Sequence, residues 1–388
     1  MSRDVKVPFY NHAAEYRSIK PDINRVITRV LESGSYQKGK EVKAFEEESA
    51  EYLGVKHAIA TGSCYDAMFR ALLALGVGYG DEVITVANTD IAGTAAISHT
   101  GASIVWVDVD ERTYNIDPTK IEERVTPRTK GIIVVHMYGH SADMDPIMDV
   151  ARRHGLCVIE DAALALGGRY KGKRVGTIAD VGCFSYAPSK ILAGYGDGGM
   201  AVTDDSKIAE KIRKLFIYEE SESRYIFVDD QRIHSGYQFS TEGYHERMVE
   251  LTAAFLRVKL KRINEWITRR REIAMTYSKL LANLDVVLPI ESEVVEHVYR
   301  NYTIRVKNRD EVRYRLAKRG VETGMHYVPP LHLQPVYQHL GYHEGALPVT
   351  ESVGAELFTL PIYPQLSQEQ IEWVALALKE VIHEVNGS

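Results

Sequence analysis

Lys190 lies in the segment FSYAPSKILAGYGDGG, downstream of a β-branched run, CVIEDA, whose last charged residue is Asp161. An amine and a carboxylate at such positions could hold the two ends of one pyridoxal ring. The lysine would take the aldehyde carbon as a Schiff base, and the aspartate would keep the ring nitrogen protonated so that the ring accepts carbanion electrons. A lone lysine is by default a solvated surface charge. Lys190 departs from that default because it follows a buried-looking strand and Pro188 and precedes a glycine-rich turn. An acidic pair at a strand end can simply cap the next helix. Successive strand side chains point to opposite faces, so only one of Glu160 and Asp161 can serve the ring, and Glu160 takes the structural role.

The elements that must position these groups alternate between residues 55 and 200, as in a doubly wound α/β sheet. HAIAT, EVITV, SIVWVDV, GIIVVHMY, CVIEDA and DVGCFSY read as strands. YDAMFRALLAL and DMDPIMDVARRHG carry helical spacing, with Gly155 at the expected stop. Functional groups in such sheets gather at the carboxyl ends of strands, where Asp161 and Ser185 both fall. A helical stretch over 246–283 leads to a second region with a strand (NYTIRV), a helix (EVRYRLAKRG), the loop MHYVPPLHLQPVY and a closing helix near 367–385. The organisation predicted is a large domain over 1–250 and a smaller one over 251–388.

The turn TGSCYDA (61–67), with Gly62 and Ser63 ahead of a helix, can present backbone N–H groups to a phosphate, although an ordinary βα turn has the same sequence. GYGDGG (194–199) is either a flexible turn or a close backbone approach to a cofactor. His326 and Tyr327 can reach a substrate from the second domain or sit exposed beside their prolines, and Arg247 can serve an ion pair or an anion.

Composition narrows the class. The 388 residues are 45% hydrophobic and 26% charged, with a net charge of −6, which argues against nucleic-acid binding. The segment MSRDVKVPFYNHAAEY lacks an apolar signal core and no apolar run reaches membrane-spanning length, so a cytoplasmic protein without membrane contact is expected. Cys64, Cys157 and Cys183 stand in no metal-ligand spacing, and no metal is expected.

Several blocks together carry a resemblance: SGSYQKGKEVKAFEEE, LGVGYGDEVIT, DVDERTYNID, VVHMYGHSADM, VIEDAALALGGRYKGKRVG, FSYAPSK, GDGG and GYHERMVELTAAFLRVKL. In this order they resemble the DegT/DnrJ family of fold-type I pyridoxal-phosphate enzymes, nearly end to end. The resemblance implies a large, mostly parallel, doubly wound seven-stranded sheet domain and a smaller C-terminal α+β domain. It implies pyridoxal 5′-phosphate, or its pyridoxamine form, as cofactor. Lys190 becomes the Schiff-base lysine and proton shuttle, Asp161 the partner of the pyridine nitrogen, and Ser185 a phosphate ligand. Gly62, Ser63, Cys64 and Tyr65 then line the phosphate turn, Asp90 and Leu164 stand near the ring, and Tyr36, His326 and Tyr327 near the substrate. His245 would reach the cofactor of the neighbouring subunit in a homodimer with shared sites. The implied reaction aminates a keto-sugar, nucleotide-linked, with glutamate as donor.

Four positions depart from the family pattern. Cys64-Tyr65 replaces a small Gly-Thr or Gly-Ser pair, Thr89-Asp90 a pair bearing a stacking ring, Leu164 a hydrogen-bonding residue, and His245 an asparagine. One expectation is that Tyr65 supplies the missing aromatic contact while Asp90 turns to substrate or an interface; the alternative is that Asp90 makes a local turn bond. A pyridoxamine-phosphate-dependent sugar dehydratase is a second enzyme class, disfavoured by Lys190 because dehydratase relatives carry histidine there. A sensor or scaffold that has lost turnover is a third reading.

Overall fold

The β-branched runs are buried over most of their length on both faces, and this dictates the layered architecture. The computed structural model describes residues 6–37, 39–215, 220–228, 231–239 and 242–387. Its central sheet has seven strands: β1 (His57–Thr61), β2 (Glu82–Val86), β3 (Ser103–Val107), β4 (Thr129–Val135), β5 (Cys157–Asp161), β6 (Val181–Ser185) and β7 (Gly199–Thr203), in the spatial order β1-β7-β6-β5-β4-β2-β3. β7 pairs antiparallel with β1 and β6, and the other neighbours pair in parallel. The helices are α1 (His12–Ser33), α2 (Lys40–Leu53), α3 (Cys64–Ala74), α4 (Ile91–His99), α5 (Met144–His154), α6 (Ser206–Lys214), α7 (Glu250–Leu260), α8 (Ile263–Leu281), α9 (Arg309–Lys318), α10 (Pro348–Glu356) and α11 (Gln368–Asn386).

Period-two alternation sorts the strand residues between the two faces. Val83, Ile133, Ile159 and Cys183 pack with Ala67, Met68 and Ala71 of α3. Ile84, Ile132, Val134 and Val158 pack with Ile147, Val150 and Ala151 of α5 on the other face. Parallel strands covered on both sides read as continuous apolar runs, which is why six of the seven were visible in sequence. β7, GMAVT, starts at the last glycine of the glycine turn, and no strand was expected there.

The run GIIVVHMY stops being a strand at Val135, because Tyr138 and Gly139 take positive φ values of 58° and 98° and turn the chain. The expected single helix over 246–283 is two helices, broken at Lys261 and Arg262. No glycine or proline marks the break, so helical periodicity runs through it unnoticed. Glu250, at the start of α7, accepts the N–H groups of Gly39 at 2.9 Å and Glu41 at 2.8 Å. It thereby caps α2, whose N-terminus has no side-chain cap of its own. An antiparallel hairpin, β8 (Glu220–Val228) with β9 (Gln231–Phe239), was not anticipated.

A second core gathers Ile273, Tyr277 and Leu281 of α8 with the antiparallel pair β10 (Tyr302–Arg305) and β11 (Leu357–Leu360) and with α11. The N-terminal segment joins this core rather than the sheet: Val7 is buried in it and exchanges hydrogen bonds with Gly320 and Glu322. Beyond residue 250, α7 packs the opposite way, placing Ala253 and Leu256 with Phe45, Phe184 and Met200 beside the sheet.

Glu160, fully buried, shows how the end of β5 is fixed. Its carboxylate accepts the N–H groups of Gly176 (2.7 Å), Ile178 (2.6 Å) and Ala179 (2.8 Å) and meets His136 Nε2 at 3.0 Å. The Ala142 N–H donates to His136 Nδ1, so Nε2 carries the ring proton toward Glu160. Truncating Glu160 to alanine orphans these donors in a dry interior, and each orphan costs about 1–3 kcal/mol. Glu160→Ala is therefore expected to lower stability by about 3 kcal/mol or more, read as a fall in the urea midpoint of unfolding.

Candidate active site

The carboxyl ends of β4, β5 and β6 bring His136, Asp161 and Ser185 to one edge of the sheet. Asp161, pointing opposite to Glu160, is 7% exposed, and its side chain has one hydrogen bond among the described residues, from the Ala163 N–H at 3.1 Å. Burial pushes its pKa up; the Ala163 N–H and the charges of Lys190 and His136 oppose that shift, while Asp90 adds to it. A carboxylate so placed has unspent capacity for a cationic N–H partner.

Lys190 follows β6 in a turn closed by its own N–H on Ala187 O at 2.9 Å. The loop is held shut beneath it by Tyr186 N–H on Gly198 O at 2.8 Å and Gly194 N–H on Tyr186 O at 2.6 Å. Lys190 is partly buried. Desolvation, and then the Arg300 guanidinium, lower its pKa below the ordinary value, against the pull of Asp161, Cys64 and Asp90. Lys190 and Asp161 thus share one electrostatic neighbourhood, as the sequence reading required.

Strand register builds the remaining wall. Gly199 lies opposite both Ser185 and Thr61, so β6, β7 and the start of α3 meet on one rung. A Cβ on Gly199 would fall 2.2 Å from Ser63 C and 2.5 Å from Cys64 N, so only glycine permits this approach. Ser63 caps α3, its Oγ accepting the Asp66 N–H at 3.1 Å. The Cys64 thiol is buried near Asp161 and Lys190, and burial raises its pKa strongly. Gly62 departs from its expected role, because its N–H donates to Glu246, which also pairs with the buried Arg70.

The four unusual positions resolve individually. Tyr65 stacks on Phe69, one helical turn along α3, with centroids 5.9 Å apart, and its hydroxyl meets His99 Nδ1 at 2.6 Å. The expectation that Tyr65 provides the aromatic contact for the cofactor fails, since at the second residue of α3 its ring follows the helix's outer face. Asp90 caps α4 through the Ala92 N–H at 3.0 Å, the local turn bond of the plainer alternative. Leu164 is buried with Met137 and Tyr138 and fills space without a polar contact. His245 is exposed, its Nε2 3.0 Å from Arg247, whose other nitrogen donates to Gln37 at 2.9 Å. Tyr36 is likewise exposed, and its carbonyl accepts the Glu250 N–H. Tyr36, His245 and Arg247 thus sit on the outer surface of this chain, apart from the Lys190 cluster.

The second unit supplies the far wall. Burial, then the charges of Arg300 and Lys190, push His326 down to about 3, so its imidazole is neutral. Its ring is held by Asn301 and Thr359, each 3.3 Å from Nδ1, and stacks on Phe9. The Tyr138 hydroxyl donates to the His326 carbonyl. Burial and then Asp90 raise the Tyr327 phenol. The sequence reading missed Arg300, Asn301 and Tyr10, which complete this wall; the one signal available was an arginine just ahead of the expected strand NYTIRV. Among the described residues no group of acidic, histidine or cysteine side chains could hold a metal ion, and no helix is long and apolar enough to cross a membrane.

Comparison with known proteins agrees with this geometry. A protein of Geobacillus stearothermophilus named pleiotropic regulatory protein is 42% identical over 379 residues, 97% of this chain and 98% of that one. The dTDP-3-amino-3,4,6-trideoxy-alpha-D-glucose transaminase of Streptomyces venezuelae is 39% identical over 376 residues, 97% of this chain and 96% of its own. The crystal structure of S. venezuelae DesV in complex with a ketimine intermediate superposes with a TM-score of 0.91 at 39% identity, covering 97% of this chain and 98% of that one. The PLP form of the sugar aminotransferase Spr1654 of Streptococcus pneumoniae, named there as putative, superposes with a TM-score of 0.86 at 25% identity, covering 98% of this chain and 100% of that one. The profile of the DegT/DnrJ/EryC1/StrS aminotransferase family matches residues 17–379, and the chain belongs to that family.

Proposed function

We propose that this chain is a pyridoxal-phosphate-dependent aminotransferase that moves an amino group from L-glutamate to a nucleotide-linked keto-sugar. The observation that carries the reading is that Lys190, a partly buried amine of lowered pKa, and Asp161, a buried carboxylate with spare hydrogen-bonding capacity, feel each other's charge beyond the ends of β6 and β5. The relatives named as sugar transaminases support the substrate class. When bound, the cofactor supplies an electron sink for a substrate carbanion and a carrier for the amino group.

Lys190 would hold the cofactor's aldehyde carbon and would carry the proton at the substrate's Cα. That work needs a neutral amine near neutral pH, and desolvation together with Arg300 favours one. Asp161 keeps the proton on the ring nitrogen, oriented by the Ala163 N–H. Ser63, Ser185 and the first turn of α3 hold the phosphate, where the helix N-terminus favours an anion. Neutral His326 and the Tyr327 phenol face the sugar from the second unit.

A homodimer is part of this reading. Tyr36, His245 and Arg247 would face the neighbouring subunit's site, and the exposed apolar side chains Leu31, Tyr36, Tyr244 and Val249 beside them support a covered surface. Two domains are also part of it, with the boundary moved into α8, where packing passes from Ile263 on the sheet side to Ile273 in the second core. The free cysteines fit a reducing, cytoplasmic setting. The name of the Geobacillus relative favours a regulatory protein as second reading.

Absorption spectroscopy separates the two readings. Protein loaded with pyridoxal phosphate is expected to show a band that requires Lys190 and converts to the pyridoxamine form with glutamate; Lys190→Ala is expected to lack the band and to form pyridoxamine phosphate at least about 100-fold more slowly. A band without conversion by any donor favours the regulatory reading. A pH dependence follows as well. Since only the free amine attacks the cofactor's aldehyde, uptake by the apo-protein rises with pH through the pKa of Lys190, with its midpoint below 10.5. Arg300→Gln removes a nearby positive charge and moves that midpoint upward, as stopped-flow uptake across pH will show.

A further inference from the structure

Arg300 immediately precedes Asn301 and β10 and is 2% exposed. Its Nη2 donates to the Tyr10 hydroxyl at 2.8 Å, its Nη1 reaches Asn301 Oδ1 at 3.4 Å, and the guanidinium lies 5.3 Å from the centre of the Tyr10 ring. Its Nε has no acceptor among the described residues. No carboxylate among them forms an ion pair with it. Other strongly buried arginines do have such partners: Arg70 has Glu246 and Asp66, and Arg305 has Glu111 and Glu356.

The exception besides Arg300 is its own neighbour. Arg270, 5% exposed, donates to the carbonyls of Ile362 at 2.7 Å and Arg300 at 3.5 Å, and its Nε is also without an acceptor. Burial, then the Arg300 charge, push Arg270 down to about 9. Glu15, the acidic group that acts on Arg270 from a distance, is engaged by Lys259 Nζ at 2.6 Å. Two buried guanidinium groups therefore stand together, Arg300 close enough for its charge to act on Lys190, and no side-chain anion among the described residues forms an ion pair with either. Asp90 is committed to its helix cap, and Asp161 makes no ion pair with either arginine. Burying a guanidinium is costly unless an anion meets it, and its planar fork suits both oxygens of a carboxylate.

We propose that Arg300 is the carboxylate-binding residue of this site, pairing through Nε and an adjacent N–H with a substrate carboxylate whose carrier also reaches Lys190. The inference rests on the aminotransferase reading and deepens it by naming the group that recognises the substrate. Two substrates can bring this chemistry: the amino-acid donor through its α-carboxylate, or a keto-sugar that is itself a uronic acid. Arg270 is the positioning residue, since its bond to the Arg300 carbonyl fixes the backbone from which the guanidinium projects.

The test uses cofactor-loaded wild type, Arg300→Gln, Arg300→Lys and Tyr10→Phe, each first checked for a native near-ultraviolet circular dichroism spectrum. Arg300→Gln is expected to raise the glutamate concentration for half-maximal conversion about 30-fold or more, with partial recovery in Arg300→Lys. The keto-sugar half-reaction keeps its KM when the sugar lacks a carboxylate. Glutarate, an unreactive dicarboxylate, competes with glutamate in wild type and not in Arg300→Gln. A rise confined to a carboxylated sugar also supports Arg300, with the sugar as the source of the carboxylate. Unchanged half-saturation for both substrates overturns the proposal, and so does an equal loss in Tyr10→Phe, which would make Arg300 a clamp on the N-terminal segment. If wild type converts no donor at all, the aminotransferase reading fails, and glutarate binding, followed by protein fluorescence in wild type and Arg300→Gln, still decides for or against Arg300 alone.

Discussion

Two adjacent carboxylates end the buried strand β5, and the rest of the site depends on how each is neutralised. Glu160 turns to one face and is met by three backbone N–H groups and the His136 ring. Asp161 turns to the other face and is given one N–H. A buried carboxylate with so little compensation is costly, and the structure sustains it because Glu160 locks the strand end and the 176–179 turn around it. The same strand alternation that makes Glu160 structural leaves Asp161 available for chemistry.

Near that acidic point stand two cations, Lys190 in the turn after β6 and Arg300 in the segment ahead of β10. Their burial and the Arg300 charge act in the same direction, lowering the pKa of Lys190 and keeping His326 neutral. Proton transfer at a carbon near neutral pH is helped by an amine of lowered pKa, and for Lys190 burial comes first and the Arg300 charge second in lowering it.

The sequence revealed what periodicity and local chemistry encode. Six strands of the sheet, the helices α3 and α5, the Gly155 stop and the structural use of Glu160 follow from alternation and helical spacing, and the structure carries all of them. β7 was hidden because a buried antiparallel strand running straight out of a glycine turn has no polar flank to announce it. The break between α7 and α8 was hidden because no glycine or proline marks it. Tyr65 was misjudged because its direction is set by the helix register of α3 and by Phe69 one turn away, a packing relation outside the motif itself. Arg300 is more than a hundred residues from Lys190 in sequence, and only folding brings its charge to that lysine.

The central claim is that Lys190 moves a proton at the substrate's α-carbon while Asp161 holds the far end of the ring. Exchange of the glutamate α-proton into deuterated water, followed by proton NMR on protein loaded with pyridoxal phosphate, tests this without any sugar. The account predicts steady loss of the α-proton signal with wild type and loss no faster than the protein-free control with Lys190→Ala. Retention of the signal with wild type, or equal exchange in the two proteins, would contradict it.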